Sequence, residues 1–215
     1  MDNSILYSAL HQKILPAVTF ASPDEVLPVA DALYSGGLRV MEVTFRTGVA
    51  AEAIQMIREK LPGMYIGAAT LLSAGQVDEA IAAGAQFGLA PGFNPAVCDH
   101  ALIRNFPFIP GVMTPSEAEL AAEKGFSILK LFPASQIDGP AFLKALYQVY
   151  TQLQLKFIPM GGVSINNMQE YLQQKNVIAV GGSWLASREL ILSSQYKVIT
   201  EKVIDALQRI SNKNI

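Results

Sequence analysis

The run Ile128-Leu129-Lys130-Leu131-Phe132-Pro133 encloses one lysine between apolar residues on both sides. Other lysines, such as Lys60, Lys124 and Lys144, fall on stretches with helical periodicity, where a long side chain carries its charge out to water. On a strand, Lys130 shares a face with Ile128 and Phe132. If that face turns inward, desolvation disfavours the ammonium form, and a free amine is the nucleophile a carbonyl carbon needs. The plain alternative is a snorkelling or ion-paired lysine. A second run, Val40-Met41-Glu42-Val43-Thr44-Phe45-Arg46, puts Glu42, Thr44 and Arg46 on one face and Met41, Val43 and Phe45 on the other. Interior charges of this kind require partners or a task, and a structural ion pair is the bland reading. In the chemical reading Glu42 moves protons through water, while Arg46 offsets its charge and adds like-charge pressure on Lys130. Two glycine clusters, Gly161-Gly162 and Gly181-Gly182-Ser183, follow the last two apolar runs. Glycine pairs often simply end strands, but after both final strands of a barrel they suit phosphate binding by loop and helix amides.

The elements that must carry these residues form a repeat. Short apolar or β-branched runs alternate with helical stretches, with Gly, Ser, Asn or Pro as punctuation. The spacing predicts strands near Leu15 to Phe20, Arg39 to Phe45, Tyr65 to Thr70, Phe87 to Ala90, Phe106 to Pro110, Ile128 to Phe132, Phe157 to Gly161 and Val177 to Gly181. Their starts advance by roughly twenty to thirty residues, the length of one strand, one helix and two loops. Eight such units predict a (β/α)8 TIM barrel, with an extra N-terminal helix near Ser4 to Lys13 covering its bottom. Ser22-Pro23-Asp24-Glu25 opens the first repeat's helix and Gly36-Gly37 ends it; Thr114-Pro115-Ser116-Glu117 is a capping box. A doubly wound open sheet is the structural rival, but Phe20-Ala21-Ser22-Pro23 is not the glycine-rich loop it requires.

The 215 residues suit one domain, residues 1–215, and a chain 51% hydrophobic but only 16% charged suits strands buried on both faces. A net charge of −2, with no basic stripe, argues against a nucleic-acid partner. The opening Met1-Asp2-Asn3-Ser4 is unlike a secretory signal and no segment resembles a membrane span, so the expected location is cytoplasmic, with no membrane partner. The single cysteine, Cys98, reads as a helix residue beside Asp99 and His100 rather than as a metal ligand. With only His11 and His100 outside the strand ends, neither metal nor cofactor is expected.

Seven segments together are highly specific: Met41 to Thr47, Ile66 to Thr70, Ala90-Pro91-Gly92, Pro110 to Pro115, Leu129 to Ala134, Pro159 to Val163 and Gly181 to Trp184. In order along nearly the whole chain, they resemble the 2-keto-3-deoxy-6-phosphogluconate (KDPG) aldolase / 4-hydroxy-2-oxoglutarate (KHG) aldolase family of class I aldolases. The resemblance implies that Lys130 is the Schiff-base lysine and Glu42 the proton-transfer residue. It implies further that Arg46 and Thr70 hold the carboxylate end of a 2-keto acid and that Phe132 packs near the lysine. Gly161, Gly162, Gly182 and Ser183 would receive a phosphate, Pro91 would line the pocket, and the assembly would be a homotrimer. Two positions depart from the family pattern, Met160 for threonine and Ala69 for glycine. They bear on substrate preference, leaving an unphosphorylated or epimeric 2-keto acid as an alternative. A phosphate-binding barrel isomerase and a silent sugar-phosphate-binding barrel are the other readings.

Overall fold

The structure is a computed structural model that describes residues 3–212; Met1 and Asp2 of the expected start lie outside the described residues. Among the described residues, nine short strands run β1 (Ile14–Val18), β2 (Val40–Thr44), β3 (Tyr65–Ala69), β4 (Phe87–Leu89), β5 (Phe108–Ile109), β6 (Gly111–Val112), β7 (Ile128–Leu131), β8 (Lys156–Pro159) and β9 (Val180–Gly182). Helices fall between and around them: α1 (Ser4–Leu10), α2 (Val26–Ser35), α3 (Ala50–Lys60), α4 (Ala74–Ala82), α5 (Pro95–Ile103), α6 (Pro115–Glu123), α7 (Gly139–Val149), α8 (Met168–Leu172), α9 (Arg188–Leu192) and α10 (Tyr196–Ser211). Every strand pairing among the described residues is parallel. The strands form one sheet in the order β5-β4-β3-β2-β1-β9 and another in the order β6-β7-β8. The chain passes directly from β5 to β6 through Pro110, whose carbonyl accepts from Lys130 N at 2.9 Å. Across the other gap, Phe157 N donates to Asn176 O and Ile178 N to Phe157 O.

Parallel strands covered on both faces are near-continuously apolar, and all five residues of β2 are buried. Their alternation sorts side chains into two clusters. Val18, Met41, Val43, Ala68, Leu129, Leu131 and Phe157 pack outward against the helices. Leu15, Val40, Ile109, Ile128, Ile158 and Met160 pack with one another and with Leu6, Ala9 and Leu10 of α1. Lys130 therefore belongs to the inner face with Ile128, while Leu129 and Leu131 seat the strand against the helices.

Local chemistry sets the ends. Thr114 Oγ1 accepts from Glu117 N while Glu117 Oε2 accepts from Thr114 N, closing the capping box of α6. The Ser22 signal opens a 3₁₀ turn, Pro23–Glu25, that runs into α2, and Gly36 follows the last residue of that helix. Two expectations shift. The expected fifth strand, Phe106 to Pro110, shortens to β5, and pairing resumes beyond Pro110 as β6, which the expectation left out; Pro110 itself has no N–H to give a ladder. The last begins at Val180, not Val177, because a turn with Val177 N bonded to Gln174 O leaves Val177 only an isolated bridge to Phe157.

Gly67 shows how closely the inner face is filled: a Cβ there would meet Phe87 ring carbons at 2.3, 2.5 and 2.8 Å. Gly67→Ala is therefore expected to destabilise the fold by about 1–3 kcal/mol through overpacking, read as a lower urea midpoint at unchanged slope. Adding Phe87→Leu should recover part of that loss; an unchanged midpoint in the single variant would contradict the packing argument.

Candidate active site

A cavity of about 400 Å³ opens where the strands end. Glu42 enters it from β2 and Lys130 from β7; Thr70 follows β3, Gly161 and Gly162 follow β8, and Ser183 follows β9. These residues lie on the carboxyl halves of parallel strands or just past them, with Glu42 at the middle of β2, where hydrogen-bonded backbone fixes what the strands and loops present. A second cleft, of about 360 Å³, lies by the start of β8 and is lined by Tyr7, Tyr147, Tyr150, Lys156 and Asn176 without a comparable amine and carboxylate pair.

Lys130 Nζ lies 3.5 Å from Glu42 Oε1, with the lysine side chain 7% and the glutamate side chain 1% exposed. Lys130 Nζ also stands 5.5 Å from the centre of the Phe132 ring, within cation–π range. Burial pushes the Glu42 carboxyl above its ordinary value, against the opposing pull of Lys130 and, more weakly, of Arg46. Its second oxygen, Oε2, is buried and has no hydrogen-bond partner among the described residues. A buried carboxylate oxygen left free beside a buried amine is placed to take or give a proton to a third group.

Arg46 departs from the expectation of an interior guanidinium. β2 ends at Thr44, and Arg46 sits in the following turn, exposed, lining the cavity from its rim. The alternation of a strand no longer applies there, and a hydrated rim position avoids the penalty of burying the charge. Thr70 also lines the cavity, with φ of +62°, a left-handed backbone unusual for a β-branched residue and typical of strained functional positions. Gly161 and Gly162, each with φ of +82°, carry the chain along the cavity wall in a conformation that favours glycine. Gly182 and Ser183 complete the glycine-rich side. Pro91 lies outside the lining; its carbonyl group packs where a Cβ on Gly111 would stand, at 2.3 Å, so it backs the turn between β5 and β6.

Some lining residues escaped the sequence reading. Thr19 Oγ1 and Thr44 Oγ1 are 2.7 Å apart across β1 and β2. Applying the inward parity of Leu15 to the end of β1 would have reached Ala17 and Thr19. Ser187 also lines the cavity, although its side chain accepts from Leu190 N and in sequence reads only as a helix cap. Beside it, Arg188 grips Glu25 through two hydrogen bonds of 2.6 Å, joining the loop after β1 to α9. Cys98 is buried in α5, and no group of three or more potential metal-ligating side chains occurs among the described residues.

The fold and the cavity define a TIM-like parallel α/β protein with a buried amine and carboxylate at the carboxyl ends of its strands. Residues 6–202 match the family model described as KDPG and KHG aldolase. A relative from Treponema pallidum, named 2-dehydro-3-deoxy-phosphogluconate aldolase, is 42% identical over 204 residues, covering 94% of this chain and 96% of the relative. The KHG/KDPG aldolase of Escherichia coli is 35% identical over 195 residues, 91% of each chain. A solved KDPG aldolase from Legionella pneumophila, holding pyruvate as a covalent carbinolamine intermediate, superposes with a TM-score of 0.90 at 34% identity, over 96% of this chain and 98% of that one. The chain belongs to the KDPG and KHG aldolase family.

The burial of Glu42 carries a sign. A carboxyl raised by folding binds its proton more tightly in the folded chain, so its contribution to stability is full below the ordinary carboxylate range. That contribution is lost as pH rises through the raised folded value. Unfolding free energies measured by urea from pH 4 to 8 should therefore show Glu42→Gln gaining on the wild type as pH rises; parallel curves would contradict the assignment.

Proposed function

We propose that this protein is a class I aldolase that cleaves 2-keto-3-deoxy-6-phosphogluconate to pyruvate and glyceraldehyde 3-phosphate, and 4-hydroxy-2-oxoglutarate to pyruvate and glyoxylate. The observation that carries the reading is the Lys130–Glu42 pair, enclosed in a cavity at the strand ends and 3.5 Å apart. The relatives' names support the substrate class, and the carbinolamine trapped in the Legionella enzyme supports the covalent route.

The chemistry follows from the pair. The free amine of Lys130 adds to the C2 ketone, and the ketone oxygen takes up a proton to give a carbinolamine. Glu42 supplies the proton with which that hydroxyl leaves as water, and the iminium remains. Glu42, acting through water, then removes the C4 hydroxyl proton. The C3–C4 bond breaks, its electrons flow into the iminium, and an aldehyde departs. Protonation of the enamine at C3 and hydrolysis of the imine release pyruvate and restore the amine. The raised proton affinity of Glu42 suits a group that must both give and accept in one cycle.

On this reading Arg46 and Thr70, which line the cavity, hold the carboxylate of the keto acid, and Phe132, also in the lining, packs beside the imine. The amides and hydroxyl of Gly161, Gly162, Gly182 and Ser183 serve the phosphate. Met160, buried in the lining, presents a thioether there in place of a hydroxyl, which supports the alternative of a related pyruvate aldolase with an unphosphorylated or epimeric substrate. Further parts of the reading are a single domain over residues 1–215, closure of the two sheets into one (β/α)8 barrel with α1 against its lower opening, a homotrimer, and a cytoplasmic location. The hydrogen bonds across both gaps and the packing of Leu6 and Leu10 against inner-face residues support closure. No helix among the described residues is long and apolar enough to cross a membrane.

Cleavage rates test the assignment. Lys130→Met should lower kcat/KM for the phosphorylated substrate by at least about a thousandfold, the scale expected when a covalent nucleophile is removed. The wild type should prefer the phosphorylated over the unphosphorylated six-carbon substrate by more than a few-fold. A Lys130→Met protein that still turns over would overturn the mechanism, and a smaller preference would overturn the phosphate site.

A further inference from the structure

Among the described residues, two buried side-chain atoms without a hydrogen-bond partner belong to residues lining the cavity: Glu42 Oε2 and Trp184 Nε1. The first is an acceptor beside Lys130 and serves the proposed chemistry. The second is a donor on the glycine-rich side, and the mechanism above gives it no task. Buried indole N–H groups ordinarily find an acceptor, and an indole can only donate. We propose that Trp184 is a specificity-determining residue whose indole N–H donates to an oxygen of the substrate's phosphate-bearing end. This rests on the aldolase reading and adds to it a discriminating side-chain donor.

The local geometry supports the assignment. A Cβ placed on Gly182 would stand 3.2 Å from Trp184 Cδ1 and 3.7 Å from Nε1, so the N–H edge of the indole faces a bare α-carbon on the cavity wall. The same position lies 3.8 Å from the Val163 carbonyl, another part of the lining. Gly182 has φ of +154°, and the absence of a side chain there lets the indole edge lie close against the glycine backbone in the cavity wall. Lys202 Nζ of α10 donates to the Trp184 backbone carbonyl at 3.1 Å, which ties the loop carrying the ring to α10. A neutral, fixed donor beside glycine amides suits an anionic oxygen, which forms stronger hydrogen bonds than a neutral one. Pyruvate alone, held at the Lys130 end, does not carry that oxygen.

Trp184 is the only tryptophan in the chain, so intrinsic fluorescence reports on it alone. Wild-type protein titrated with inorganic phosphate and with glyceraldehyde 3-phosphate should show a saturable change in emission, whereas unphosphorylated glyceraldehyde should not produce it. Trp184→Phe keeps an aromatic ring and removes the donor. It should raise KM for 2-keto-3-deoxy-6-phosphogluconate about tenfold more than KM for the unphosphorylated counterpart, the loss expected for one hydrogen bond to a charged acceptor. Emission unmoved by phosphate, or equal KM changes for the two substrates, would overturn the proposal and leave the ring a packing element. Failure of the wild type to form a pyruvate adduct at Lys130 would instead remove the aldolase reading on which the proposal stands.

Discussion

An amine and a carboxylate removed from water and set 3.5 Å apart make the central demand on this fold. Either group buried alone is severely disfavoured, and breaking such a pair by removing one partner typically costs about 3–5 kcal/mol. Lys130 and Glu42 come from β7 and β2, in different sheets and far apart in the chain, so only tertiary structure brings them together. Each strand must be anchored on its outer face by apolar residues so that the opposite face can carry a charge. Leu129 and Leu131 do this for Lys130, and Met41 and Val43 for Glu42. The same alternation that builds the core therefore places the reactive groups. Ile128, Ile158 and Phe132 give Lys130 apolar surroundings on the inner face, which restrict the amine to its carboxylate partner and the cavity.

Much of this was legible because period-two alternation is a strong signal where strands are buried on both faces. Lys130 stood out by contrast with its apolar flanks, and Glu42 by its parity with Thr44. The reading failed where a strand stops. Arg46 keeps the parity of Glu42 in the sequence, but the backbone turns after Thr44 and carries the guanidinium to the rim. Pairing resumes as β6 beyond Pro110, where the expected fifth strand ends, and the turn from Gln174 to Val177 delays β9. Thr19 lies within the expected first strand on the parity of Leu15, so the same argument reaches it, although the observed strand ends one residue earlier at Val18. Trp184 was harder: a tryptophan in a glycine-rich loop reads as packing, and only coordinates reveal an indole nitrogen without an acceptor.

The two departures from the family pattern have different consequences. Ala69 lies on the inner face, fully buried and in the ladder with Thr44, and its methyl group is absorbed into that cluster. The chain turns sharply only at the next residue, Thr70, whose left-handed backbone brings it to the cavity. Met160 is closer to the chemistry. Its terminal methyl lies 2.2 Å from the position that a Cβ on Gly181 would take, so Gly181 makes room for the longer side chain. The resulting wall is apolar between the lysine and the glycine-rich side.

The central claim is that the Lys130 amine captures a ketone carbon, and borohydride reduction tests it most directly. Protein incubated with pyruvate and then reduced should gain one pyruvyl-derived adduct per chain, mapped by peptide mass spectrometry to Lys130 and absent when that residue is methionine. Protein that remains unmodified, or an adduct on any other lysine, would contradict the account.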